Sequence, residues 1–202
     1  MAFWSEKGVE PKRKFRWLLY WSGVPQFVIK SVKKPSYSVA TTAHQFLNYE
    51  FNYPGRVTWQ DITITLVDPV TPDSTKSLYK ILENSGYVIP SNYNEGQAAT
   101  ISKAGMVDAL GTEIKLSQLN ADGNEPIETW VVKNPLITSV DFDSLDYGAD
   151  ELLNITVTIK YDYALIEGLD NIGEGQLWTF NKTGAGEGVR GGAASDDFGT
   201  PR

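Results

Sequence analysis

The feature that most constrains the fold of this chain is an eleven-residue stretch, Leu153–Tyr163, in which apolar and polar side chains alternate. Successive side chains of a β-strand point to opposite faces of its sheet, so a period of two predicts a long strand. One face of this strand is expected to be buried and the other exposed to solvent. The apolar positions are Leu153, Ile155, Val157, Ile159, Tyr161 and Tyr163.

Further segments with β-branched or aromatic residues also predict strands. Residues 15–21 and 26–32 are expected to pair as a hairpin across the turn at Gly23, and residues 113–119 and 128–133 across a turn rich in Asn, Asp and Gly. The remaining predicted strands are residues 56–68 and 137–143.

One segment, at about residues 73–85, is typical of a helix. Asp73 is a suitable N-cap, Leu78 and Ile81 fall on one face, and Gly86 stands where a helix stop is expected. This helix should pack against a sheet.

Residues 36–56 show neither the two-residue period of a strand nor the 3.6-residue period of a helix, and their aromatic side chains are scattered among Thr, Asn and Gln. A loop of this length is uncommon in a compact domain unless it is functional or disordered, and its aromatic content argues against disorder. Rings that cannot reach their own core would be buried on a neighbouring chain. The candidates for such contacts are Tyr37, His44, Phe46, Tyr49, Phe51 and Tyr53.

The C-terminal residues 168–202 contain nine of the 18 glycines and few apolar anchors. We therefore expect a β-domain over residues 1–167, with an N-terminal arm 1–12, followed by a Gly-rich extension over residues 168–202. Trp178 and Phe180 in this extension are further candidates for contacts between subunits.

Composition excludes several classes of protein. The 202 residues include no cysteine and a single histidine, His44, which rules out disulfide scaffolds, thiolate zinc sites and multi-histidine metal sites. No apolar run approaches the roughly 18 residues of a membrane span, and no secretory leader is evident, so we expect an unprocessed soluble protein.

The sequence predicts no catalytic, cofactor or metal site. Residues 186–191 match the GxGxxG pattern, but no helix follows them. The aspartates at 141, 143 and 146 do not fit the ligand spacing of a calcium loop. His44 has no nucleophile-elbow motif to join, so it is interpreted as a packing or interface residue.

Charge is distributed unevenly along the chain. Residues 1–34 contain eight bases against two acids, a net charge of +6, so the rest carries −13 within a total of −7. A body this acidic would repel nucleic acid. The basic run at residues 12–16 is interpreted as charge at the edge of a sheet. It would prevent unwanted strand pairing or would contact an acidic neighbour.

The order of these parts resembles the tail-tube protein family of contractile-tailed bacteriophages, which is related in fold to the Hcp ring of type VI secretion. The resemblance covers about residues 13–166 and is one of pattern and order. It is carried by the aromatic opening strands, the long polar-aromatic loop, the single helix and three stretches: "YPGRVTWQDITITLVDP", "ETWVVKNPLITSVDFDSLDYG" and "LLNITVTIKYDYA".

The resemblance implies a mainly β fold, a β-sandwich or incomplete barrel with one flanking α-helix, a long inter-subunit loop and an extended C-terminal tail. It implies a structural protein of the virion tail, assembled in the host cytoplasm, and it implies no enzyme. Hexameric rings would stack into a hollow tube that conducts the DNA genome without specific binding, in contact with sheath and baseplate proteins. Asp141 and Asp143 are the candidates for acidic residues facing the lumen.

Three alternatives stay open. Within the same fold, the chain could be a baseplate tube initiator or hub, or an Hcp-type secretion ring. From a different class, a carbohydrate-binding β-sandwich would account for exposed tryptophans at positions 17, 21, 59 and 178.

Overall fold

The computed structural model of the chain describes residues 11–94 and 100–168. Apart from Gly168, they belong to a unit that spans Met1–Glu167, and residues 168–202 form a second unit. The predicted Gly-rich extension, with Trp178, Phe180 and the GxGxxG pattern, lies outside the described residues beyond Gly168. The functional division of the chain into a β-domain and an extension stays a prediction.

The described residues form ten strands, two α-helices and two short 3₁₀ helices, so the protein is mainly β, as predicted. The helices are α1 (Ser74–Asn84) and α2 (Lys103–Leu110), and the 3₁₀ helices are Gln26–Val28 and Pro90–Asn92. The strands are β1 (Trp17–Tyr20), β2 (Ile29–Val32), β3 (Ser36–Phe46), β4 (Tyr49–Gln60), β5 (Ile62–Val67), β6 (Glu113–Leu119), β7 (Pro126–Lys133), β8 (Leu136–Asp141), β9 (Asn154–Lys160) and β10 (Tyr163–Ile166).

Two four-stranded antiparallel sheets form a sandwich. Sheet A has the order β1-β6-β7-β10 and sheet B the order β2-β5-β9-β8, while β3 and β4 form a separate two-stranded sheet. The core lies between sheets A and B, where Leu116 and Val132 of sheet A belong to the same buried cluster as Ile64 and Val157 of sheet B. Neither sheet closes into a barrel.

The alternating stretch at residues 153–163 supplies the centre of this core, because Ile155, Val157 and Ile159 are fully buried. Burying each such side chain stabilises the fold by roughly 1.5–3 kcal/mol. The prediction that one strand runs through Tyr163 is wrong: β9 ends at Lys160, and the chain then crosses to sheet A as β10. The amide of Asp162 donates to the carbonyl of Lys133 at this crossing (3.1 Å), and Ala164, not Tyr163, points into the core.

A similar crossing changes the first predicted hairpin. β1 pairs with β6 and β2 pairs with β5, so the two segments lie in different sheets and the predicted pairing between them is wrong. The side-chain amide of Gln26 explains part of this arrangement. Its Oε1 accepts the amide proton of Leu19 (3.1 Å) and its Nε2 donates to the Leu19 carbonyl, so it bonds the β1 backbone at the point where a partner strand would pair.

The predicted strand over residues 56–68 is also divided. β4 ends at Gln60 and β5 begins at Ile62, so residues 56–60 belong to the separate two-stranded sheet and only β5 joins sheet B. The irregular conformation expected for residues 36–56 is wrong as well. These residues are almost all in β3 and β4, joined at Leu47 and Asn48.

The predicted hairpin over residues 113–133 is confirmed as β6 and β7, and the predicted helix as α1. Asp73 caps α1, since its Oδ1 accepts the amide of Lys76 at 2.8 Å. A second helix, α2, packs beside α1. Gly105 permits this close approach, because a Cβ atom at that position would lie 2.8 Å from the carbonyl oxygen of Ser85.

Within the described ranges, no helix is long and apolar enough to cross a membrane.

Candidate assembly surface

The surface with the clearest capacity for assembly is the hairpin formed by β3 and β4. Its pairing runs from Ser36 opposite Gln60 to Phe46 opposite Tyr49. Nearly every residue of both strands is exposed, so the hairpin extends away from the sandwich. An isolated two-stranded hairpin is marginally stable in water, so one this long is expected to need a surface to pack on.

A one-residue bulge divides the hairpin into a base and a tip. Val39 pairs with Val57 but Thr41 pairs with Pro54, so β4 has one extra residue between these pairs. Gly55 lies at this position, where a Cβ atom would come 3.1 Å from the Ala40 carbonyl oxygen. Side chains alternate between the two faces of a strand, so one extra residue reverses the alternation of β4 relative to β3. At the base, odd-numbered residues of β4 lie opposite odd-numbered residues of β3, whereas at the tip they lie opposite even-numbered ones.

The bulge places the aromatic residues of the tip on one face, which we call the aromatic tip face. Cross-strand pairing puts His44 opposite Phe51 and Phe46 opposite Tyr49. The reverse face of the tip is polar, with Gln45 opposite Glu50. The four large aromatic side chains of the aromatic tip face are between 48% and 67% exposed, which is unusual for a single folded chain. The aromatic tip face consists of His44, Phe46, Tyr49, Phe51 and Tyr53.

Five of the eight predicted contact residues therefore lie together. Tyr37 lies apart, at the base of the hairpin, where its ring meets Trp59 edge to face at a centroid distance of 5.5 Å. Trp59 in turn lies 5.9 Å from the ring of Tyr161, which is buried in the sandwich. This row of three rings attaches the base of the hairpin to the body. Trp178 and Phe180 lie outside the described residues.

A charged cluster around Glu128 holds the chain segment that enters the hairpin. Lys34, two residues before β3, donates to Glu128 Oε1 at 2.7 Å and to Gln118 Oε1 at 2.6 Å. Trp130 Nε1 donates to the same Glu128 oxygen at 2.5 Å, and Lys12 pairs with Oε2. Sequence reasoning missed this cluster because Lys34 and Glu128 are far apart in the chain and follow no shared period.

The cluster strongly perturbs Glu128. Partial burial by itself would raise the pKa of this carboxyl, but the hydrogen bonds from Lys12, Lys34 and Trp130 outweigh it and lower the pKa to about 2. The carboxylate is therefore ionised throughout the physiological range, and it ties Lys12 and the chain just before β3 to sheet A.

The predicted lumen residues lie at one end of sheet B. Asp141 is the last residue of β8 and pairs with Thr156, so both are on the outward face of the sheet. Its Oδ1 accepts the amide of Asp143 (3.1 Å), and the Asp143 carboxylate accepts the amides of Ser144 (2.8 Å) and Asn154 (3.3 Å). The rest of this outward face includes four threonines, Thr63, Thr65, Thr156 and Thr158. Lys160 ends β9 on the same face, and Lys30 reaches the face from the edge strand β2 through its hydrogen bond to Asn154. Asp141 is therefore not part of a continuous acidic surface.

The tryptophans that motivated a carbohydrate-binding alternative do not form an exposed platform. Trp21 is only 3% exposed, and Trp17 and Trp59 are partly buried against the core. Trp178 lies outside the described residues. In the part of the chain that the structure describes, no group of three or more His, Asp or Glu side chains is arranged to hold a metal ion.

Comparison with solved structures identifies the fold. A chain of the sheath/tube terminator of an extracellular contractile injection system (PVC) matches with a TM-score of 0.58 and 19% identity, over 80% of this chain and 99% of that one. A chain of the tube terminating cap of the anti-feeding prophage matches with a TM-score of 0.57 and 19% identity, over 83% and 99%. A chain of the sixfold-symmetrised baseplate of the anti-feeding prophage matches with a TM-score of 0.57 and 13% identity, over 78% and 95%.

The chain shares the fold of these chains from contractile injection systems. The family resemblance seen in the sequence is thereby confirmed at the level of fold. No protein-family model matches the sequence, and no curated protein matches it.

The Glu128 cluster predicts a specific acid sensitivity. Because the folded pKa is about 2 and the ordinary value is 4.5, this group contributes stability above pH 4.5 and loses that contribution as the pH falls toward 2. Glu128→Gln should lower the free energy of unfolding at pH 7 by about 1–3 kcal/mol, since it leaves two half-exposed lysines without a partner charge. Urea unfolding at pH 7 and pH 2.5 should show the difference between variant and wild type shrinking with acid. A difference that stays constant would contradict the assignment.

Proposed function

We propose that this chain is a structural subunit of a contractile tail tube, in which copies form hexameric rings that stack into a hollow tube. The observation that carries the proposal is the aromatic tip face, which lies on a hairpin whose residues are almost all exposed in the described part of the chain. In the proposed assembly, each tip packs on a neighbouring copy in the same or the next ring. A non-enzymatic role goes with this function.

The hairpin supports assembly from copies of one chain. A tip that packs on a different region of the next copy makes a heterologous interface, which closes into a ring or continues as a filament, depending on the rotation between copies. A stacked tube needs both outcomes, one within the ring and one between rings. The exposed tip rings give such a contact an apolar centre, and the polar reverse face suits exposure to water.

The strand order of sheet B supports a ring with a continuous inner sheet. Among the described strands, β2 and β8 form the two edges of sheet B and run antiparallel to each other. A second copy placed beside the first therefore continues the sheet with its antiparallel alternation unbroken. We assign the outward face of sheet B, with its rows of threonine, to the wall of the central channel.

The wider proposal follows the neighbours of this fold. A matching chain comes from a baseplate solved with sixfold symmetry, which supports a ring of six, and another from a sheath/tube terminator, which supports contacts with sheath and baseplate proteins. We place the protein in the tail of a virion assembled in the host cytoplasm, with DNA passing through the tube without specific binding. The charge of −13 over residues 35–202 supports the absence of DNA binding.

A second candidate is a protein that ends or starts the tube. Two matching chains come from a sheath/tube terminator and a tube terminating cap, and their TM-scores are 0.58 and 0.57. The two roles differ in what the purified chain does alone. A tube subunit extends into tubes of many rings at high concentration, whereas a terminating or initiating protein stops at single or paired rings, which electron microscopy distinguishes.

The aromatic tip face provides the direct test of assembly. Replacing Phe46, Tyr49 and Phe51 by serine should leave the thermal unfolding of the single chain unchanged within about 2 °C, because these rings are exposed. If they are buried in the assembly at roughly 1.5–3 kcal/mol each, the concentration needed for rings should rise by at least about 100-fold.

The matched control replaces Gln45, Glu50 and Asn52, on the polar face of the same tip, by serine. This control should assemble like the wild type in sedimentation velocity and negative-stain images. Equal assembly by both triple variants would remove the aromatic tip face from the interface.

The channel assignment has its own test. Asp141→Asn with Asp143→Asn should leave the assembly of tubes intact and slow the ejection of DNA from the particle, because the wall then keeps its two lysines without these two carboxylates and repels the DNA less. Ejection is followed by the release of labelled DNA over time. Ejection at the wild-type rate would argue against a lumen position for these two carboxylates.

A further inference from the structure

A basic groove lies between the edge of sheet A at β1 and the edge of sheet B at β2. It has a volume of about 1150 Å³, and four lysines line it without any carboxylate among the described lining residues. Two phenylalanines on its wall, Phe15 and Phe27, are about three-quarters exposed. The lysines are Lys12, Lys14, Lys30 and Lys34.

The charge of the groove is only partly neutralised from within. Glu128 pairs with Lys12 and Lys34. Lys30 hydrogen-bonds the neutral side chain of Asn154 (2.9 Å), and neither Lys14 nor Lys30 forms an ion pair with a described residue. The groove therefore combines unpaired positive charge with exposed aromatic surface. That combination fits an acidic segment that also carries apolar side chains.

A segment with those properties leaves the opposite edge of sheet B. Residues 144–152 are the central part of the connection between β8 and β9, and they contain Asp146, Asp150 and Glu151 but no basic residue. Leu145 is 89% exposed, and Tyr147 is fully exposed. Both apolar side chains are therefore left uncovered by the described chain.

The basic groove and the acidic segment lie at the same level along the strands of sheet B. Ser31 on β2 pairs with Thr65, Thr65 pairs with Thr156, and Thr156 pairs with Asp141 on β8. The acidic segment starts just beyond Asp141, level with the part of β2 that lines the groove. Within one copy, three strand spacings, about 14 Å, separate the two edges. Placing copies side by side along the sheet brings the segment of one copy next to the groove of the following copy.

We propose that residues 144–152 of one copy occupy the basic groove of the next copy in the ring. The carboxylates of Asp146 and Asp150 lie against Lys14 and Lys30, and Tyr147 covers the exposed phenylalanines. This inference rests on the proposed ring function and names the contact that sets the direction of the ring. The contact would also account for the net charge of +6 over residues 1–34 in an otherwise acidic chain.

Paired charge reversal tests the contact in the full-length chain. A groove variant carries Lys14→Glu and Lys30→Glu, and a segment variant carries Asp146→Lys and Asp150→Lys. Each variant alone places like charges together at every interface and should need at least about 10-fold more protein to form rings. Mixed in equal amounts, they should form rings of alternating composition at close to the wild-type concentration, since each interface then joins opposite charges. Lys80→Glu, on the exposed surface of α1, is the control and should assemble normally.

Cysteine cross-linking is the second measurement, and the absence of native cysteine makes it unambiguous. Lys30→Cys and Asp146→Cys, placed on separate chains and mixed, should give a disulfide-linked dimer on mild oxidation. Lys80→Cys mixed with Asp146→Cys should not.

The outcomes separate this inference from the proposed function. Wild-type chains that never form rings overturn both. Rings that form without the 30–146 cross-link and without rescue on mixing overturn the inference alone. An intramolecular cross-link from Lys30→Cys to a cysteine at Val9 or Asp197 would show that the groove holds the chain's own terminal residues, which also overturns the inference.

Discussion

The apolar layer between β5 and β9 on one side and β6 and β7 on the other determines where every other element can lie. Ile64, Val157 and Ile159 of sheet B and Val132 of sheet A are almost completely buried in it. Each copy completes this layer with its own residues, including those of α1 and α2. The hairpin of β3 and β4 adds little to the layer beyond Trp59, so its tip has no core of its own to join. The proposed dependence of the tip on a neighbouring copy follows from this completeness.

Three devices hold the hairpin in a defined position. The rings of Tyr37, Trp59 and Tyr161 attach its base, and the Glu128 cluster fixes the chain just before Ser36. The bulge at Gly55 then turns the aromatic residues of the tip onto one face. The position and direction of the hairpin are therefore set within the single chain. This reduces the loss of conformational entropy that a contact between copies must offset. A flexible loop with the same aromatic residues would lack this advantage.

The sequence predicts the buried centre of the fold well and the crossings between sheets poorly. Alternation identifies Ile155, Val157 and Ile159 because each contributes the same local signal. That signal continues through Asp162 to Tyr163, although the chain changes sheets there, since a crossing depends on partners such as Lys133 that are distant in sequence. In the same way, the aromatic residues at 44–53 stand out in the sequence, but their common face depends on a one-residue bulge that no period shows. The groove and the Glu128 cluster join segments more than 80 residues apart, beyond the reach of local patterns.

Amide hydrogen exchange of the hairpin, compared between the dilute chain and the assembled rings, tests the central claim most directly. The amides of residues 42–53 should exchange rapidly in the dilute chain, where the aromatic side chains of the tip are exposed, and at least about 100-fold more slowly in the assembly. Those of β9 should be slow in both states, because β9 is buried within each copy. If the hairpin amides exchange equally in both states, or are already slow in the dilute chain, the tip does not depend on a neighbour and the account is contradicted.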